Sequence, residues 1–179
     1  MAISSEDQSG VAQLQRITSE YIAAEDRIRL TGETNQGQTV ALWLTQRLLG
    51  RLMPHLLGWL EQQTGGRLDA EIRQDFAQQA AIASLTPQPP VPPHAQNRSC
   101  LVQEVNINAT PQNVRLTFRS AGGGDHAMPA FLVLSPLPLR QWLDVLYRLY
   151  RTAGWAADFW PDWMAQARTA SVQTSPLLH

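Results

Sequence analysis

The run Gly122-Gly123-Gly124-Asp125-His126 is the first place where residue types and spacing suggest chemistry. Backbone amides of a glycine-rich loop can cradle phosphate, and an Asp-His pair can orient a general base or bind a metal. A phosphate loop, however, opens a helix, because the anion draws on the helix N-terminus. Here the run joins two strand-like segments, and no Ser or Thr follows at the required spacing, so it reads as a flexible turn. The other histidines, His55, His94 and His179, show no ligand spacing such as HExxH. His55, beside Pro54 on the border of an apolar helical arc, reads as a partly buried structural histidine. Cys100 is the single cysteine, and no serine sits in a GxSxG elbow. Glu25-Asp26 is an adjacent acid pair in a turn and reads as solvated. No catalytic residue, cofactor site or metal site is expected, and the chain is expected not to be an enzyme.

Two other groups of residues suggest binding. Alternation in the strand-like segments places Arg27, Arg29, Thr31 and Trp43 on one outward face. It places Arg115, Thr117, Arg119, Phe131 and Val133 on another. Arginines interleaved with aromatics on an open sheet suit single-stranded nucleic acid, through phosphate contacts and base stacking. The plan of strands closed by a helix is similar in outline to the PUR and Whirly type of nucleic-acid-binding repeat, with three strands here where those have four. That resemblance implies a single-stranded DNA or RNA partner. The second group is the C-terminal stretch Trp155, Phe159, Trp160 and Trp163, which holds three of the six tryptophans. Large rigid side chains of this kind dominate interface hot spots. They would serve either as a docking element or as a tail folded back on its own helices.

Bulk properties narrow the field. The chain has 179 residues, 44% hydrophobic and 16% charged, which is the balance of a globular protein. A net charge of −1 removes any global attraction to nucleic acid or anionic membrane. One cysteine excludes an intrachain disulfide framework. Met1 to Gly10 is polar and acidic, without the pattern of a secretory signal. The apolar stretch Leu48 to Leu60 is broken by Arg51, Pro54 and His55 and is too short to span a bilayer. A cytoplasmic location without membrane contact is expected. All fourteen basic residues are arginine; a GC-rich genome accounts for this, and a demand for planar guanidinium contacts is the alternative.

The elements that would position these residues repeat along the chain. Arg27-Ile-Arg-Leu-Thr31 is echoed by Asn113-Val-Arg-Leu-Thr117, and Leu42-Trp-Leu-Thr45 by Leu132-Val-Leu-Ser135. Strands are expected over residues 14–22, 27–33 and 40–44, then over 101–108, 113–120 and 129–134. Thr45 and Ser135 stand as N-caps of two helices, roughly 46–63 and 138–152. Leu49, Leu52, Met53, Leu56, Leu57 and Leu60 in the first match Leu139, Trp142, Leu143, Leu146, Tyr147 and Tyr150 in the second. Pro54 should kink or restart the first helix, and Gly65-Gly66 should end it. A further helix over 69–85 carries Ile72, Phe76, Ala80 and Ala83 on one stripe, expected to pack on the first. A short one over 161–170 follows the aromatic stretch.

The expected fold class is therefore α+β: two tandem β-β-β-α repeats, antiparallel sheet packed on helices, in a pseudo-two-fold arrangement. The expected organisation is a tail at 1–10, a first repeat with its extra helix at 11–85, and a Pro-rich linker at 86–99. A second repeat follows at 100–154 and an aromatic segment at 155–179. In the second repeat and the first alike, Ile28, Leu30, Leu42, Leu44, Val114, Leu116, Phe118, Leu132 and Leu134 should face the long helices. The function expected from these surfaces is that of a non-enzymatic interaction or assembly factor acting through a protein partner or self-association. Single-stranded nucleic acid binding is the alternative.

Overall fold

The apolar alternation of the strands decides the layering. In the computed structural model, which describes residues 11–64, 69–93, 98–120 and 129–173, six strands and four helices build an α+β fold. The strands are β1 (Ala12–Ile22), β2 (Arg27–Thr34), β3 (Thr39–Leu44), β4 (Arg98–Ala109), β5 (Val114–Ser120) and β6 (Ala130–Leu134). The helices are α1 (Gln46–Gln63), α2 (Ala70–Ala83), α3 (Pro136–Ala153) and α4 (Asp162–Gln173). Ile28 stands opposite Leu44 and Leu30 opposite Leu42, while Val114 stands opposite Leu134 and Leu116 opposite Leu132. Every apolar strand position expected to face the helices is buried, and it joins one core with the inward faces of α1 and α3. Of the twelve matched positions on the two long helices, only Tyr147 is less than fully buried.

Pairing is antiparallel within β1–β2–β3 and within β4–β5–β6. The two runs join through parallel pairs, β3 with β4 and β6 with β1, and the six strands close into a barrel. The sheet is thus not antiparallel throughout, as the sequence led us to expect. Closure removes the free edges that two separate three-stranded sheets would expose. The long helices tie across this arrangement. The Trp59 indole on α1 donates to the Thr110 carbonyl beyond β4, and the Trp142 indole on α3 donates to the Ser19 hydroxyl on β1, each at 3.1 Å.

Turns and caps follow local chemistry. Gly37 closes the β2–β3 turn at φ +73, and the Thr34 hydroxyl accepts from the amides of Gln36 and Gln38. The Thr45 hydroxyl caps α1 by accepting from the Leu48 amide at 3.2 Å. Ser135 makes no such bond, contrary to expectation. Two of the first three helical positions, Pro136 and Pro138, have no amide to offer, which removes the usual third-position partner of a capping hydroxyl. The helix α1 runs unbroken through Pro54, with no restart. It ends at Thr64, whose hydroxyl donates to the Glu61 carbonyl at 2.8 Å. His55 is exposed, not partly buried, because the buried arc of α1 passes through Leu52, Met53, Leu56 and Leu57 instead.

The Pro-rich stretch forms neither helix nor strand over 86–93. It lies on the barrel, because the Val91 amide donates to the Thr18 hydroxyl at 2.9 Å and the Val91 side chain is buried. Thr18 stands opposite Thr31, and Thr31 opposite Ala41; both Thr31 and Ala41 are buried on this outward face. Thr31 is therefore not presented to solvent, contrary to what strand alternation alone suggested.

The stripe of α2 departs most from expectation. Ile72 and Phe76 do not pack on α1; they are 58% and 64% exposed. The buried residues of α2 are Gln74, Gln78 and Ala81, and this helix packs chiefly on α4 and α3. The reason lies in what faces it, described next. Residues 1–10, Gly65-Gly66, His94, Gly122–His126 and His179, for which expectations are given above, lie outside the described residues.

Candidate interaction surface

Two helices meet here through polar residues four apart: Gln74 and Gln78 on α2, Arg140 and Asp144 on α3. Residues at this spacing share a helix face. The Gln74 amide donates to the Leu60 carbonyl at 3.0 Å and to the Thr64 hydroxyl at 2.9 Å, which seals the end of α1. Its carbonyl oxygen accepts from the Arg140 guanidinium. Gln78 donates to the Arg140 backbone carbonyl at 3.0 Å. Arg140 is 5% exposed, stacks 5.5 Å from the Trp163 ring, and has no carboxylate partner among the described residues. Burial pulls its pKa down to about 10. Asp144, also buried, receives Arg168 at 2.6 and 2.8 Å and Arg148 at 3.3 Å. A cation buried in α3 needs acceptors, and α2 supplies them through the side-chain and backbone oxygens of Gln74. Its apolar stripe is consequently left outside.

The C-terminal aromatics gather behind this seam. Tyr150 is fully buried and meets Trp155, Phe159 and Trp160 edge-on, with ring centroids 5.1 to 5.6 Å apart. Burial pushes its hydroxyl pKa up. The Trp155 indole donates to Asp26 Oδ1 at 2.8 Å, and the Tyr21 hydroxyl donates to the same oxygen at 2.8 Å. These two bonds, the Trp155 one first, lower the Asp26 pKa, and the Asp26 bond raises that of Tyr21. Trp163 is buried in α4. The four aromatic positions singled out in the sequence are thus engaged within the chain, and they fasten the segment leading into α4 onto α3.

The arginine faces are placed differently. Arg29 donates to Glu20 at 2.8 Å and lies 5.9 Å from the Trp43 ring. Arg27 is 3.8 Å from Glu25. Arg115 sits 3.8 Å over the Phe131 ring, and the exposed Arg119 stands opposite Glu104. Carboxylates therefore interleave with the arginines on both runs of strands. Cys100 is half-buried, and desolvation raises its pKa against a smaller opposing hydrogen bond with Ser120. Among the described residues, no three His, Cys, Asp or Glu gather as a metal-ligand set. No helix there is long and apolar enough to cross a membrane.

The residues that sequence reasoning missed are Gln74, Gln78, Arg140 and Asp144. Their signal was present as two polar i, i+4 pairs within otherwise apolar-patterned helices. The chain matches no protein-family model, no curated protein and no solved structure.

Proposed function

We infer that the protein is a non-catalytic interaction or assembly factor that docks a protein on its helical side. The observation that carries this reading is the orientation of α2, with two glutamines inside and Ile72 and Phe76 outside. Large apolar side chains held together on a rigid exposed element mark interaction sites. Ala80 and Ala83 continue the stripe, so a partner can approach the helix closely. The aromatic segment leads into α4 and is held on α3, and α4 in turn packs on α2. The test is a photo-crosslinking residue in place of Phe76, expressed in the native host. A discrete adduct, with a second copy or another protein, is expected at position 76 and not at position 119. A protein that stays uncrosslinked at 76 and elutes as a monomer overturns the reading.

Single-stranded nucleic acid binding is a second reading, favoured by one observation. Arg115 stacks on Phe131 without an ion pair among the described residues, unlike Arg29. Binding at low salt that falls steeply with added salt and weakens in Arg115→Ala supports it; no binding at low salt disposes of it.

The same reading takes the molecule as two β-β-β-α copies about an approximate two-fold axis. Matching registers, Leu30 with Leu42 and Leu116 with Leu132, and the two parallel junctions support this. An experimental structure in which residues 27–63 fail to superpose on 113–153 would remove it.

A further inference from the structure

Beside the α2 stripe, where α1 ends and α2 and α4 begin, lies a cleft of about 570 Å³. Its walls include Glu61, Glu71, Asp162, Gln74, Trp160 and Trp163. Glu71 and Asp162 stand in the first turns of α2 and α4, where free amides favour a carboxylate. Glu61 has no such explanation. It lies in the last turn of α1, at the negative end of the helix dipole, and that turn holds no basic residue. None of the three carboxylates forms an ion pair among the described residues. Asp69 and Asp75 extend the negative charge along α2 toward Ile72 and Phe76. Over residues 61–76 the sequence holds four of these acids, Glu61, Asp69, Glu71 and Asp75, against Arg67 and Arg73.

We propose that this surface docks a basic amphipathic segment of a partner protein, whose Arg or Lys enters the cleft while its apolar residues cover Ile72 and Phe76. The proposal rests on the docking reading above and adds the partner's chemistry. A cation in the cleft offsets the misplaced Glu61 charge together with those of Glu71 and Asp162 on the same walls. The carboxylates repel an acidic segment, which gives the surface its selectivity.

The test uses the full chain and a fluorescein-labelled peptide of leucines and lysines at helical spacing, followed by fluorescence anisotropy. A peptide with glutamate in place of lysine is the comparison. The Leu/Lys peptide is expected to bind and the Leu/Glu peptide not to bind. Binding should weaken about tenfold or more in Glu61→Gln/Glu71→Gln and in Phe76→Ser. Glu25→Gln/Glu104→Gln makes the same charge change on the barrel and should alter binding by less than about twofold. Unchanged circular dichroism melting establishes that each variant is folded. Absence of Leu/Lys binding, or equal loss in both double variants, overturns the proposal. Binding of the Leu/Glu peptide that Phe76→Ser abolishes also overturns it, yet leaves the docking reading standing.

Discussion

Asp26 joins parts of the chain that are remote in sequence. It occupies the β1–β2 turn at φ 46, a left-handed conformation that Asp and Asn tolerate better than other residues with a side chain. Its Oδ1 accepts from Tyr21 on β1 and from Trp155 beyond α3. Because both bonds favour the ionised carboxylate, the folded pKa lies below the ordinary 3.8. The stabilisation is therefore present at neutral pH and is lost as pH falls below 3.8 through the folded value. Asp26→Asn preserves the turn and removes the charge. Its melting temperature should fall below that of the wild type at pH 7, and the gap should close as pH drops from about 4 to about 2. Thermal denaturation followed by tryptophan fluorescence checks this; a gap independent of pH counts against the carboxylate's role. The acid pair was visible in the sequence as a turn, but its second donor, Trp155, was not, because nothing local relates residue 26 to residue 155.

Among the elements, α2 shows how one buried charge can dictate which way a helix faces. Its apolar stripe was legible and led to the opposite orientation. The reversal follows from Arg140, whose guanidinium needs the Gln74 oxygen, and from the Leu60 carbonyl and Thr64 hydroxyl that accept the Gln74 amide. Arg140→Leu leaves that buried Gln74 acceptor without its donor, and it should cost about 1–3 kcal/mol in chemical denaturation. Combined with Gln74→Leu, the loss should be less than the sum of the two single losses, since the groups share one interaction. Strict additivity would mean that the pair does not hold α2 in place. At the start of α3, Pro138 leaves the hydroxyl of Ser135 without its third-position amide.

At the scale of the molecule, the two seams that close the barrel are unequal. Among the described residues, β3 and β4 share four residue pairs, Val40–Arg98 through Trp43–Leu101, whereas β1 and β6 share two, Ala12–Ala130 and Gln13–Phe131. Beyond Gln13, β1 bulges between Leu14 and Arg16. Leu14 there packs against Gly32, where an added Cβ would meet its methyls at 2.8 Å. Local opening follows the weaker pairing. In native-state hydrogen exchange, the amides of Ala12 and Gln13 should exchange before those of Leu42 and Trp43. The reverse order would place the weak seam at β3–β4.

The sequence by itself determined the element order, the buried strand face, the apolar arcs of the two long helices and the positions of the turns. Those features depend on local periodicity and on Gly, Pro and Thr at particular places, and such information is carried by neighbouring residues. Only the tertiary structure decided the barrel closure, the course of the Pro-rich strap over Thr18, and the inward turn of the glutamines on α2. Each of these depends on a partner distant along the chain: β6 for β1, Thr18 for Val91, Arg140 for Gln74. The buried Arg140 guanidinium must find acceptors wherever the fold places it, and that requirement outweighed the amphipathic pattern of α2.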